Sequence, residues 1–387
     1  MKRSLTIIVV LALLAIPALA LGRGVAALYW PEGRVTQGGV PQAAESHIAA
    51  NFPGRDTLTG WSLAIRVLGG QREYNQIFIS GDELIPVLDP PSDYQVGENT
   101  QAILEFAGQS APRVYAMIIP TVSAIRQQGL PSFFLGQSVH QLQFIDQVYS
   151  EMLGGVNLTT IDAYGALYGA REQYIFYRTH NNLTSLGGFQ VYHALGLGGL
   201  LEGRARPTLQ HYNIEHVVYG FFGNLYARSP FQNARGDVLS IFRYRHPYRN
   251  PPELQYIVSV YRDGQARTYH TLFPLHNLDI EGREMDIFLG GPGAKTVITT
   301  SSQFPGNLLV VGDHTALAFV PFLANHYRTL TLLDLSLAGE EELYAVSRAI
   351  GRDDYDQILI AFSIETYMHH PYPARVLELL PEPGEYW

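Results

Sequence analysis

Residues 308–327, LLVVGDHTALAFVPFLANHY, restrict the fold more than any other stretch of the chain. Leu308, Leu309, Val310 and Val311 form a short, continuous apolar run, the pattern of a strand buried on both faces. Gly312 offers a sharp turn, and Asp313, His314 and Thr315 follow it. Ala316, Phe319, Val320 and Leu323 then have helical spacing, which predicts a helix over 316–326. A strand, a tight turn and a helix place the turn residues at the carboxyl edge of a parallel sheet, where open α/β sheets keep their sites. In hydrolases with this geometry the turn residue carries the nucleophile. Here the residue on offer is His314.

The rest of the chain supports such a sheet. Helices are predicted over 57–68 (with Thr57 or Thr59 as cap), 97–108, 139–153, 185–201 and 340–349. Strands are predicted over 77–80, 113–119, 156–161, 329–333 and 357–362, with a brief strand or extended segment at 174–177. Asp162 is placed to cap a short helix, and Ser185 lies near the N-cap of its own. This alternation is the rhythm of a parallel sheet covered on both faces. Residues 207–305 break it with β-like runs at 215–219, 256–261, 267–273 and 296–300, read as a β-rich insertion or cap. From Pro371 onward the chain reads as an irregular surface tail.

The amino terminus points to where the protein works. Lys2 and Arg3 precede a 17-residue apolar run, 5–21, interrupted by Thr6 and Pro17. Ala18-Leu19-Ala20 offers a small-residue cleavage site. Residues 1–21 are therefore a signal peptide or an uncleaved membrane anchor, and 22–50 a tether. Both readings put the remainder outside the cytoplasmic membrane. With 47% hydrophobic residues in 387, the chain can bury a large core. The net charge is −9, the only lysines are Lys2 and Lys295, and no basic block occurs, so nucleic acid is not an expected partner.

Several blocks taken together resemble the DHHW family of bacterial envelope proteins, relatives of the alginate O-acetylation proteins. They are NFPGRD at 51–56, IFISGDELI at 77–85, VYAMIIPT at 114–121, QYIFYRTHNNLTSLGGFQVYHAL at 173–195, FFGNLYARS at 221–229, FLGG at 288–291 and the 308–327 stretch. Their order and spacing carry the resemblance, from about residue 40 to the C-terminus. It implies an SGNH-hydrolase-like (flavodoxin-like) three-layer α/β sandwich.

Two family blocks hold the chemistry. One typically reads YRTDHHWTSLGA, whose Asp, and the His two residues later, are the acid and base of a triad. The other typically reads KDSYANSFIPFL, and its Ser is the nucleophile. Here the first reads YRTHNNLTSLGG, so His180 stands at the Asp position, Asn182 at the base position and Leu183 at the Trp position. The second reads VGDHTALAFVPFL, with Asp313 kept and His314 at the Ser position. A one-residue shift would set His180 against the family's histidines but would not restore a serine at 314. Tyr177, Arg178, Thr179, Thr184, Ser185, Gly187, Phe319, Pro321 and Phe322 retain the scaffold.

An acyltransferase of this kind needs a hydroxyl, a base and a group to orient the base. Asn182 has no basic lone pair, and no base for His314 is evident. The expectation is a pseudoenzyme that binds a cell-surface polysaccharide, or a partner from a polysaccharide-modifying system. Its cleft would use Arg178, Thr184, Ser185, Asp313 and Thr315, and no cofactor is called for. An active O-acetyltransferase or carbohydrate esterase with rewired residues, using Thr315 or Ser185, stays open. The plainer role for both hydroxyls is helix capping. His180 and His314, with Asp313 adjacent, would hold a metal only with a further ligand. His369-His370, 353–356 and the glycine cluster 290–293 read as tail, turn and turn. Residues 243–269 are rich in Tyr and Arg, which suits glycan or protein contact, although strands favour Tyr anyway.

Overall fold

A computed structural model describes residues 72–131, 134, 138–231, 233–245, 254–302 and 304–381, with Val67, Gly69 and Gly70. The leader, the tether, the 51–56 block and all of the 57–68 helix except Val67 lie outside the described residues. The chain divides into two compact units, residues 1–74 with 228–233 and residues 75–227 with 234–387. In the first, Glu73–Tyr74 are extended. Everything below concerns the second.

The second unit opens with the hairpin β1 (Ile77–Ser80) and β2 (Glu83–Pro86), turned at Gly81-Asp82. Helix α1 (Asp93–Gln109) starts at Ser92, whose hydroxyl accepts from the Gln95 N–H, and buries Asn99, Ile103 and Phe106 along one face. β3 (Arg113–Ile119) is buried on both sides after its first residue. α2 (Gln141–Met152) and β4 (Leu158–Ile161) follow, then α3 (Ala163–Gly169), capped by Asp162 through the Gly165 N–H. After α4 (Ser185–Leu197) come β5 (Tyr212–Phe221), β6 (Asp237–Tyr244), β7 (Tyr256–Arg262), β8 (Gln265–Tyr269), β9 (Lys295–Thr300) and β10 (Asn307–Gly312). β11 (Thr329–Asp334), α5 (Glu340–Gly351), β12 (Gln357–Ser363) and α6 (Ile364–His369) complete the order.

Eight strands form one sheet in the order β4-β3-β12-β10-β11-β9-β7-β8. The first five are parallel, and β9, β7 and β8 continue it antiparallel. In chain order the five parallel strands lie 2-1-5-3-4, which is a circular permutation of the flavodoxin-like order 2-1-3-4-5 with β10 in the place of its first strand and the switch point between β10 and β12. Right-handed crossovers put the α2 and α5 connections on one face and the 314–326 connection on the other, because they run in opposite directions along the sheet. The result is the expected α/β sandwich. Leu308, Leu309, Val310 and Val311 are all fully buried in it. At about 1.5–3 kcal/mol for each such side chain, this strand is a principal contributor to the core.

Four expectations are corrected. Residues 316–326 do not form one helix. A 3-10 segment His314–Ala318, one α-turn Val320–Leu323 and a second 3-10 segment Ala324–His326 replace it. Pro321 is the reason: it has no N–H, and its ring would collide with the carbonyl one turn earlier in a continuous helix. The segment after Pro371 is not a free tail. Tyr372–Leu379 is a 3-10 run with Val376 and Leu379 buried. The buried Asn99 side chain ties it down, donating to the Tyr367 and His370 carbonyls and accepting from the Ala374 N–H. Residues 174–177 form only an isolated bridge, Phe176 to Leu183. The β-rich stretch does not stand apart as a cap, because three of its strands extend the main sheet, while β5 and β6 form a separate ribbon.

Candidate functional site

Three adjacent strands end at the switch point, and the turns after them line a small cleft of about 20 Å³. Ile119, Pro120 and Thr121 come from the end of β3, Ser363 and Glu365 from the end of β12, and His314 and Thr315 from the turn after β10. Phe176, Asn181 and Leu183 close it from the loop before α4. Gly312 lets the strand ends meet: a Cβ there would lie 2.2 Å from the Ala361 carbonyl oxygen.

Asp313 is the structural pin of this edge. One carboxylate oxygen accepts from the Thr315 N–H at 2.9 Å, and the other accepts from the Ser363 N–H at 2.9 Å and the Ser363 hydroxyl at 2.7 Å. Burial would raise its pKa, but the His314 charge and the Ser363 hydrogen bonds outweigh burial and hold it below the ordinary value. It is an anion with its lone pairs engaged, a poor proton acceptor. Thr315 is therefore not the N-cap of the following turn, as its position suggested. Asp313 is, and Thr315 supplies the capped N–H.

The loop 178–184 is built around a residue that sequence reasoning missed. Asp237, fully buried at the start of β6, accepts from the Tyr174 hydroxyl, the Arg178 and Thr179 N–H groups and the Thr179 hydroxyl. The only sequence signal is an Asp leading an apolar strand, DVLSIFRY. A second missed residue is Gln141, whose side chain holds Thr121 and Ser123 in the turn after β3.

The expected site residues separate. Arg178 sits 3.7 Å from Asp82 and 3.9 Å from Glu83, with its guanidinium over the Tyr174 ring, and does not line the cleft. Thr184, not Ser185, caps α4, accepting from the Gly187 N–H. The Ser185 hydroxyl donates to the Ser240 carbonyl. Asn182 lines a second, apolar cavity beyond Leu183, against Met285, Phe288, Leu317 and Ala318. Its Nδ2 reaches the His314 carbonyl at 3.4 Å, which links the two blocks. His180 packs between Tyr177 and Phe221, with Gly223 so close that a Cβ there would lie 2.4 Å from the His180 Cβ. Of the three triad-equivalent residues, only His314 lines the polar cleft. The metal reading has no third ligand: Asp313 is committed elsewhere, and among the described residues no cluster of three or more His, Cys, Asp or Glu is arranged to hold an ion.

Two imidazoles, one buried and one half-buried, set a pH dependence. His180 is pushed down to about 4 by burial and by the His314 charge, and its Nδ1 accepts from the Asn182 N–H. His326, only 2% exposed, is pushed down to about 4 by burial and by Arg204. Its Nε2 pairs with the Tyr192 hydroxyl at 2.8 Å, and its Nδ1 is buried without a partner. Both folded values lie below the usual 6.5, so the unfolded chain takes up protons first as pH falls. Their contribution is complete above pH 6.5 and is lost between 6.5 and about 4. For His326 the loss is of order 3 kcal/mol. Urea midpoints at pH 8, 6 and 4.5 are expected to fall steeply in the wild type. They should fall less in His326→Phe, which starts lower because Tyr192 loses its acceptor. Equal slopes for the two proteins would refute this role.

No protein-family model matches the sequence, and no curated protein matches it. Solved structures do match. A DHHW family protein from Eubacterium siraeum superposes with a TM-score of 0.63 at 17% identity, over 80% of this chain and 97% of that one. The chain has the fold of a DHHW family protein. PatB1 from Bacillus cereus matches at a TM-score of 0.58 and 14% identity, over 76% of this chain and 98% of that one, and a second PatB1 structure, which carries a sulfonyl adduct, matches at 0.57. At these identities the likeness is one of fold. On this DHHW-type fold, the two blocks singled out in the sequence meet at one sheet edge through the Asn182–His314 contact. No helix among the described residues is long and apolar enough to cross a membrane.

Proposed function

We propose that this chain is a pseudoenzyme of the DHHW type, working outside the cytoplasmic membrane, whose switch-point cleft binds a cell-surface glycan. One observation carries the reading: His314 occupies the turn where the nucleophile belongs, and among the described residues at this edge no Ser or Thr hydroxyl is hydrogen-bonded to an imidazole. The Ser240–His216 pair, 2.8 Å apart, lies on the β5–β6 ribbon. Nucleophile and base supply the proton transfer and the covalent step, so their joint loss leaves binding. The cleft suits a sugar: Thr121, Asn181, His314, Thr315, Ser363 and Glu365 offer donors and acceptors beside the Phe176 ring. Its enclosed volume, about 20 Å³, is far below that of ordinary ligand sites, so a sugar would rest across its mouth rather than inside it. The apolar leader motivates the location.

A second reading, an active O-acetyltransferase or esterase, is favoured by the Ser363 hydroxyl lying 2.7 Å from a carboxylate. The lowered pKa of Asp313 argues against it as the activating base. Treatment of the full chain with sulfonyl fluoride and phosphonate probes is expected to give no adduct by intact mass, and aryl acetate hydrolysis should stay at the buffer rate. On a panel of surface polysaccharides, His314→Ala and Glu365→Gln should weaken binding about tenfold. An adduct mapped to Ser363, Thr315 or Ser185, with ester hydrolysis above background, would establish the second reading. A panel with no binder would remove the first.

A further inference from the structure

A second cleft, of about 270 Å³, lies at the far end of the sheet and belongs to no part of the site above. Its floor is the β7–β8 hairpin. Asp263 and Gly264 form the two-residue turn, with φ of 52° and 70°, the conformation that matches the twist of a tight hairpin. The register pairs Val260 with Arg267 and Arg262 with Gln265. Directly opposed residues share a face, and so do residues two apart. Arg262, Gln265, Arg267 and Tyr269 therefore point into one space, and Arg283 and Gly290 bound it from the connection to β9. Gly290, at φ +87°, allows the close approach: a Cβ there would lie 2.4 Å from the Tyr269 ring.

The three guanidinium groups differ. Arg262 is immobilised, its Nε on the Pro292 carbonyl, one terminal nitrogen on the Gly290 carbonyl and the other 3.4 Å from Asp286. Arg267 and Arg283 make no ion pair among the described residues, and Asp263 is the one carboxylate lining the cleft. Three guanidinium groups against Asp263 and the Asp286 partner of Arg262 leave the cleft a net positive charge, which an entering anion would offset. In a chain of net charge −9 this is a local reversal of sign.

We propose that Arg262, Arg267 and Arg283 form a binding site for an anionic oxygen group, the carboxylate or phosphate of a charged saccharide. Guanidinium groups recognise both anions through paired N–H bonds. The site lies on the same sheet edge as the His314 cleft. Val311 pairs with Leu333, Leu333 with Lys295 and Lys295 with Tyr261, one residue before Arg262. That is three strand steps, about 14 Å, a span that a polymer covers. The arginine site nevertheless stands whether or not the His314 cleft binds sugar.

Titration calorimetry of the full chain at low salt tests it, with a hexameric oligogalacturonate, inorganic phosphate and neutral maltohexaose as probes. Oligogalacturonate is expected to bind and maltohexaose not. Arg267→Gln with Arg283→Gln should weaken binding at least about tenfold at an unchanged melting temperature, since neither side chain holds the fold. Displacement by phosphate, or binding of phosphate alone, would assign the site to phosphate-bearing ligands. Binding of oligogalacturonate without phosphate competition would assign it to sugar carboxylates. No binding of either anion, equal binding of maltohexaose, or wild-type affinity in the double variant would overturn the proposal.

Discussion

Asp237→Ala is expected to lower stability by about 3–5 kcal/mol and to release the 178–184 loop. Its carboxylate is fully buried and takes four donors, two at each oxygen. Alanine leaves the Tyr174 hydroxyl, two backbone N–H groups and the Thr179 hydroxyl without an acceptor in a dry site, at about 1–3 kcal/mol for each group left unsatisfied. Partial relaxation and water entry reduce the sum. Asp237→Asn also destabilises, because its amide would turn donors toward donors. The Thr179 carbonyl accepts from the Leu225 and Tyr226 N–H groups, so the 221–227 segment should loosen too. Urea denaturation gives the first number, and amide exchange at residues 178–184 reports the loop. A loss under about 1 kcal/mol for the alanine variant would mean that the carboxylate is not the organising group.

Gly188→Ala is expected to cost about 3 kcal/mol or more, although alanine is the better helix former. A Cβ at Gly188 would lie 1.9 Å from the Ala318 carbonyl oxygen and 2.5 Å from its carbon. Both are backbone atoms of the turn that carries His314, so no side chain can swing away. α4 would have to move off the 314–318 turn, which would disturb the Asn182–His314 link as well. Gly97→Ala in α1 is the control. It is exposed, its added Cβ meets nothing within 4 Å, and its φ is not positive. It should gain about 0.5–1 kcal/mol from helix propensity. Thermal melts of the two variants should therefore move in opposite directions. A Gly188→Ala protein as stable as the wild type would contradict the close approach.

The features legible in the chain were those carried by local pattern. β3 appears at 113–119 because a parallel strand buried on both faces must be continuously apolar. Asp162 caps α3 because a short side-chain acceptor before a helix has few other uses. Adjacent hydroxyls defeat the same logic: Thr184 and Ser185 are both eligible caps, and only the backbone conformation decides for Thr184. The 316–326 spacing is helical, yet Pro321 divides it, so periodicity was outweighed by a missing N–H. The C-terminal run looked loose because Pro-rich composition signals turns, whereas Asn99 anchors it from more than 250 positions away.

Local order thus followed from the sequence by itself: which runs are strands, that most of them build a parallel sheet, and that a tight turn carrying Asp313, His314 and Thr315 follows the strand 308–311. Apolar periodicity and residue chemistry act between near neighbours, so one chain suffices to read them. Which polar groups face one another was decided only by the tertiary structure. It set His180 between Tyr177 and Phe221, turned Arg178 toward Asp82 and Glu83, closed Ser363 onto Asp313, and gathered Arg262, Arg267 and Arg283 around one cleft. Such contacts join residues far apart in sequence, and their geometry is set by how sheet, helices and loops pack, which no local pattern encodes.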